Sequence, residues 1–489
     1  MQPNRCAAKC NHGHAVSRRA FLGASAWMLG SAVLTGCENL ADRRPAGGLS
    51  PMKPCGPAST CVPTLRAAFV RRKEPYGMWW PGAIYDGEAA RAMYTKTIRE
   101  TADVLGMKLD LRPEPIFSGA EADAWVAECQ TAKPDGLLVV LLDRQRHSWP
   151  TANKAIDSGI PTVVYSPVGS SFTTNTAAPS KKPGCVIYST DDATQLVYGM
   201  KMIHARAKMR ATRCIVLRGR ERRDTTLADL GMALRYVPAK AFLDEYNKTP
   251  VTAEVHALAE DYIGRARKAK GPTRQDVING VKSYVVSRTI LEREQGDAIT
   301  MDCLGALWNK KVSLPCIAWS RMNDEGIPAA CEADLGAVAT HTLVQYLFDR
   351  PGFQQDPVAE TSRQAIIGAH CTCATHLAGF DRPPEPYYLS HHHGNRDAVP
   401  RTMWRVGQRV TSADILPGKP SKMLIAAGRV LANVAVPPAG GCVVSVMVKF
   451  DGTEDVLTWP GFHQIWFYGD YQRELNDFCR LFKIEPLAV

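Results

Sequence analysis

Four residues in the second half of the chain are of types that hold and use a divalent cation: Glu332 in CEADLG, Asp356 in FQQDPV, His370 in IIGAHCT and His463 in PGFHQIW. Two carboxylates with neutral imidazoles make a donor set suited to Mn2+ or a similar ion. Each residue alone has an ordinary explanation. A Glu near a helix start answers the dipole, an Asp before Pro makes a turn, and a His beside a strand packs in a core. Their combination points to a metal site. Leu335, Val338, Ala339, Leu343 and Leu347 recur at helical spacing, and Glu332 falls on the same face, so its carboxylate is expected to point inward. Asp334 is rotated away, toward solvent or a cap. An inward carboxylate needs a cation, a hydrogen-bond network or a proton.

The elements that must position these residues follow from the hydrophobic pattern. From Leu65, short apolar runs (RAAFV, MKLDLR, PDGLLVVLL, GIPTVVYS) alternate with amphipathic stretches such as GEAARAMYTKTIRETADVLG and AEADAWVAECQTA. Such runs read as a parallel sheet covered on both faces. A second series contains RCIVLRG, a long helical region from about Ala239 to Lys270, DAITMDCL, and LPCIAW at 314–319 as a buried strand. The loop SRMNDEGIPAA then carries Glu332 beyond the carboxyl end of a strand, where open α/β sheets bind ligands. After Gly352 the texture changes to Pro, Gly, His and Thr with short alternating segments, and Asp356 is expected in a loop. The predicted fold class is α/β: two doubly wound, Rossmann-like α/β domains, 64–205 and 206–351, followed by a C-terminal β-rich, antiparallel barrel-like domain, 352–489.

The first 37 residues read as an address. SRRAFLG pairs Arg18 with Arg19 ahead of a short apolar run, which resembles a twin-arginine export signal, and LTGC resembles a lipobox with Cys37 as the lipidated residue. Residues 38–63, rich in Pro, Gly and Ser, read as a linker. The expected location is the periplasm or cell envelope, with the lipid as sole membrane attachment. The net charge of +11 becomes +7 once Arg5, Lys9, Arg18 and Arg19 are removed, and the remaining basic residues are scattered without interleaved aromatics. That pattern argues against a nucleic-acid partner. No later segment has the ~20 consecutive apolar residues of a membrane-spanning helix. The 15 cysteines are spread over a chain of ordinary hydrophobicity, so most are expected as buried thiols, with Cys55 and Cys61 the pair best placed for a local disulfide.

Other residues invite a role. Trp79 and Trp80 follow the first strand and offer aromatic faces for a sugar ring, against the plainer alternative of packing under a domain interface. His391 in SHHHGN is a candidate substrate contact at a pocket rim. CTCATH brings Cys371, Cys373 and His376 together, but a C-x-C with one nearby His and no second pair matches structural zinc poorly.

The stretch NDEGIPAACEADLGAVATHTLVQYL, followed by PGFQQDP and GAHCT, resembles the L-fucose isomerase and L-arabinose isomerase superfamily, well over about 314–380, moderately in the tail from Gly461, and in architecture alone before that. The resemblance implies a Mn2+-dependent sugar enzyme assembled as a trimer or hexamer, with Glu332 as metal ligand and catalytic acid/base, Asp356 as second acidic ligand, His463 as the C-terminal histidine ligand and His370 beside the metal. Aldose–ketose conversion moves a proton between C1 and C2 through an enediol or enediolate. Glu332 and Asp356 would remove and return that proton. The expectation is thus an exported intramolecular oxidoreductase acting on a small sugar. Two readings stand beside it: a tethered sugar-binding lipoprotein without catalysis, and a metal-dependent epimerase or lyase on the same scaffold.

Overall fold

The computed structural model describes residues 49–73, 86–144, 147–310, 312–392, 395–435 and 442–488. Arg18, Arg19, Cys37, Trp79 and Trp80 lie outside the described residues.

The first sheet contains β1 (Thr64–Val70), β2 (Lys108–Leu111), β3 (Gly136–Leu141), β4 (Thr162–Ser166) and β5 (Cys185–Ser189), in the order β2-β1-β3-β4-β5. All its pairings are parallel. Every residue of β3 and β4 is buried, as strands covered on both faces must be. The covering helices α1 (Gly87–Val104), α2 (Gly119–Ala132) and α4 (Ala193–Ala211) start on Asp86, Ser118 and Asp192, whose side chains accept first-turn N–H groups; α3 is Ser148–Asp157.

The second sheet has β6 (Arg213–Leu217), β7 (Arg223–Leu227), β8 (Met232–Val237), β10 (Ala298–Met301) and β11 (Ala329–Cys331), in the order β11-β10-β6-β8-β7; β9 (Ala269–Lys270) belongs elsewhere. Only β7 runs antiparallel, at the edge. The region expected as one helix is two, α5 (Lys240–Lys248) and α6 (Ala253–Arg265), because Pro250 disfavours helical backbone at Thr249. They are followed by α7 (Arg274–Glu294) and α8 (Cys303–Leu307). LPCIAW is not a strand. Its residues enter α9 (Cys316–Asp324), and because Cys316 through Ser320 are all buried, periodicity could not separate a buried helix from a buried strand. The strand that leads to Glu332 is β11, ending one residue before it.

After α10 (Leu335–Phe348) come β12 (Phe353–Glu360), β13 (Ala365–His370), β14 (Tyr387–His392), β15 (Arg396–Thr402), β16 (Arg409–Leu416), β17 (Lys422–Asn433), β18 (Val444–Phe450), β19 (Gln464–Tyr468), α11 (Gln472–Phe482) and β20 (Glu485–Ala488). Strands β16-β19-β12-β13-β18-β17 form an antiparallel barrel closed by β16–β17, with β20 added in parallel to β17. Strands β15-β14-β9 make a small separate sheet. Phe353, Trp404, Val446, Val448, Trp466 and Tyr468 pack in the barrel's own core, whereas a larger core runs from Leu65 through α10 to Ala413, Phe467 and Phe478.

Within 49–63, expected as linker, Met52 is buried, its N–H donates to Glu325 at 3.0 Å, and Lys208 donates to the Ala58 carbonyl at 2.6 Å. The expected Cys55–Cys61 disulfide is absent: both thiols are free, and Cys55 Sγ turns instead to the Gly296 carbonyl at 3.3 Å.

Candidate metal centre

Glu332 does not belong to the helix whose face it was expected to share. Helix α10 begins at Leu335 with Asp334 as its cap, and Glu332 and Ala333 form the turn from β11, with φ of 63° and 55°. Two successive non-glycine residues in the left-handed region cost about 1–3 kcal/mol each and persist only where the surroundings hold them. Here Ala333 N–H donates to the Met301 carbonyl at 2.9 Å, and Cys331 N–H donates to the Gln354 side chain of β12 at 2.8 Å. The turn is thereby pinned to both the second sheet and the barrel.

Barrel register supplies the other three residues. Asp356 lies in β12 rather than in a loop, because the strand runs through Pro357 to Glu360. It stands opposite Ala369, the neighbour of His370, while Gln355 stands opposite Gln464, the neighbour of His463. Three adjacent strands therefore bring Asp356, His370 and His463 side by side under the Glu332 turn. His463 Nε2 is 3.4 Å from Glu332 Oε2 and 3.3 Å from Asp356 Oδ1, and His370 Nε2 is 3.9 Å from Glu332 Oε1. His463 also has an unusual φ of 31°, and the exposed ring of Phe462 lies 4.6 Å from its own.

Asp334 does more than the cap or solvent contact expected of it. Its Oδ1 accepts from Ala337 N–H at 2.8 Å, while its Oδ2 accepts from His463 Nδ1 at 2.9 Å. That bond turns Nε2 toward Glu332 and Asp356, the outer-shell arrangement that fixes a ligating imidazole. His370 is held similarly, with Nδ1 3.5 Å from Cys371 Sγ and Nε2 toward Glu332. The segment after it is anchored to α9, where Asp324 accepts from Thr375 and His376, and Ser320 donates to the Cys373 carbonyl.

The donor set fits a divalent ion. His370 Nε2, His463 Nε2 and Asp356 Oδ1 are buried without a hydrogen-bond partner, and they converge with the Glu332 carboxylate. Glu332, His370 and His463 each offer a ligand atom within 4.8 Å of the others. Buried His/Cys/Glu groups could thus hold a metal ion here. Electrostatics point the same way. Burial disfavours a charged His463, but Asp334, Asp356 and Glu332 outweigh it and push its pKa up to about 11. Burial likewise works against a charged His370, yet Cys371 and Asp356 raise it to about 9. A pocket that pulls protons onto two imidazoles is one that favours positive charge. The Glu332 and Asp356 side chains are 33% and 28% exposed, so the centre opens to solvent on the carboxylate side.

The remaining sequence candidates fall elsewhere. His391 Nδ1 meets the Asp397 carbonyl at 3.0 Å, and its ring lies beside Gly271. CTCATH is pulled apart: Cys373 joins the barrel core and His376 Nδ1 meets the Arg382 carbonyl at 2.7 Å. Cys371 instead joins Cys303, Cys316 and Cys331, a grouping that no local spacing announces. Hydrogen bonds with Cys316 and Cys331 hold Cys371 well below the usual thiol range despite burial.

No family model matches the chain. No curated protein matches it either. Among solved structures it is similar to a sugar ABC transporter sugar-binding protein from Bacillus halodurans, at 15% identity over 61% of this chain and 91% of that one, with a TM-score of 0.18. The glucose-galactose binding protein GanP from Geobacillus stearothermophilus gives 14% identity over 59% and 92%, also with a TM-score of 0.18. A solute-binding protein of an ABC transporter from Burkholderia multivorans gives 12% over 60% and 95%, with 0.17. Likenesses this distant carry no argument about this chain.

Proposed function

We propose that this chain is a metal-dependent carbohydrate enzyme of the aldose–ketose isomerase type, akin to the L-fucose and L-arabinose isomerase superfamily. The observation that carries the reading is the convergence of Glu332, Asp356, His370 and His463, from four separate segments, with acceptor atoms facing one another at a solvent-accessible mouth. These four would hold the ion, with Mn2+ the natural occupant of a carboxylate–imidazole set. When bound, such a cation supplies positive charge beside the sugar oxygens on which negative charge develops. Glu332 removes the proton from carbon and Asp356 returns one. Asp334 and Cys371 hold His463 and His370 in orientation. Phe462, 59% exposed, offers an aromatic face to a sugar ring. Assembly as a trimer or hexamer, and export on a lipid tether through Arg18, Arg19 and Cys37, belong to the same proposal.

The test is incubation of the Mn2+-loaded protein with a panel of aldoses in deuterated water. The expected result is ketose formation with deuterium at C2 of the aldose or C1 of the ketose. Tight sugar binding with no carbon-bound exchange would replace the reading with a tethered binding protein. Exchange that yields an epimer or an elimination product would move it to the epimerase or lyase.

A further inference from the structure

Directly behind the carboxylate centre lies a second group of donors with different chemistry. Cys303 opens α8, Cys316 opens α9, Cys331 ends β11, Cys371 follows β13 and His392 ends β14. Five separate segments therefore deliver a donor to one place. The four cysteines are between 3% and 5% exposed and sit in the core packed around the second sheet, and His392, 1% exposed, reaches them from the small sheet. The thiols form a chain of contacts, Cys303 to Cys331, Cys331 to Cys371, and Cys371 to Cys316. Ligand atoms of Cys316, Cys371 and His392 all lie within 4.8 Å of one another, and so do those of Cys331, Cys371 and His370.

A buried thiol by itself is an ordinary small hydrophobe, and Cys129, Cys185, Cys214 and Cys479 occupy cores in that way. Hydrophobic packing gives no reason for four sulfurs and two imidazoles to gather. Coordination does. A tetrahedral Zn2+ takes sulfur at about 2.3 Å and imidazole nitrogen at about 2.0–2.1 Å, so its donor atoms sit roughly 3.3–3.8 Å apart. The Cys316, Cys371 and His392 donors, within 4.8 Å of one another, need to close by about 1 Å to reach that spacing, and Cys331, which touches Cys371, would swing in to complete the tetrahedron. Sulfur donors also select Zn2+ over Mn2+, the reverse of the carboxylate set.

We propose that Cys316, Cys331, Cys371 and His392 form a second, structural metal site that takes a thiophilic ion, Zn2+, with Cys303 hydrogen-bonded to the ligand Cys331. Each cysteine binds as a thiolate and gives its proton to solvent. The site ties α9, β11, the end of β13 and β14 together. Two of its ligands immediately precede or follow residues of the other centre, Cys331 before Glu332 and Cys371 after His370, so the ion braces the backbone that presents them. The proposal stands whether or not the carboxylate centre is an isomerase's.

The experiment is metal analysis of the purified full chain, followed by replacement of the bound metal with Co2+ and optical spectroscopy. The expected results are about one equivalent of zinc, thiolate-to-cobalt charge-transfer absorption in the near ultraviolet, and intense tetrahedral bands in the visible. A carboxylate–imidazole site produces no thiolate charge transfer, so a failed isomerase assay and a failed thiolate site are told apart. Cys316→Ser should abolish the charge-transfer band and the zinc while Mn2+ still binds. The parent spectrum decides the question even where that variant does not fold. Protein isolated without zinc whose Co2+ form lacks the band would overturn the proposal. So would a disulfide among these cysteines in mass mapping, or a brown protein with acid-labile sulfide.

Discussion

The two nitrogens of His370 look onto opposite chemistries. On the Nε2 side stand Glu332, Asp356 and His463, with Asp334 behind, and the carboxylates are 33% and 28% exposed. On the Nδ1 side stands Cys371 with three further thiols, none more than 5% exposed. Hard oxygen donors at an open mouth suit an ion that must share its coordination with substrate oxygens, whereas soft donors sealed in a core suit one that stays. Donor softness and access therefore vary together here, and one imidazole stands between the two sets.

The largest effect should come from changing the open side alone. Glu332→Gln keeps the shape of the side chain but loses charge and basicity, so turnover should fall on the order of 10²–10⁴-fold at saturating Mn2+. Sugar affinity should fall much less, and the thiolate-to-cobalt absorption should not change. Unchanged turnover would remove Glu332 from the proton transfer. A lost thiolate band would show that the two sides are not separable.

A smaller effect should follow from loosening the orientation of His463. Asp334→Asn loses the charge that holds the imidazole N–H yet remains a good helix cap, so Mn2+ affinity should drop about 10–100-fold with little change in thermal midpoint. Asp334→Ala should add a destabilisation of about 1 kcal/mol from the lost cap. Metal titration and thermal melts of the two variants separate the roles. Equal Mn2+ affinity in parent and Asp334→Asn would mean that the bond of 2.9 Å does not tune the ligand.

The four residues of the carboxylate side stood out in the sequence because their side chains are of metal-ligand types, and the alternation of apolar runs gave the layered α/β architecture and the change to a barrel. What was lost has physical causes. Uniform burial of Cys316 through Ser320 erased the periodicity that would have marked α9. Asp356 precedes Pro357, which suggests a turn, but the proline lies in a strand where its missing N–H is tolerated. Asp334 hid its second oxygen's role, because a cap reads from sequence and a bond to a residue 129 positions away does not. The thiol side was illegible for the same reason. Cys303, Cys316, Cys331 and Cys371 have no ligand spacing, and only the folding of the second sheet against the barrel makes them neighbours.

A residue remote from both sets provides the smallest and cleanest contrast. His204 on α4 has its pKa lowered to about 4 by burial, with Lys208 and Lys201 adding to the effect and Asp349 opposing it. Its Nδ1 is buried without a partner. The fold thus keeps this imidazole neutral. Between pH 6.5 and about 4 the unfolded chain takes up a proton that the folded chain refuses. The contribution of His204 is therefore fully present above pH 6.5 and is lost progressively as the pH falls toward 4. The full shift would correspond to about 3 kcal/mol, and partial solvent contact reduces the expected loss to on the order of 1 kcal/mol. Urea unfolding of the parent and of His204→Asn across this range should give curves that converge near neutrality apart from a constant offset, with the parent declining more steeply below pH 6.5. Protonation of the two donor sets is common to both proteins and cancels in the difference. Parallel curves would show that His204 contributes nothing to the acid sensitivity of the chain.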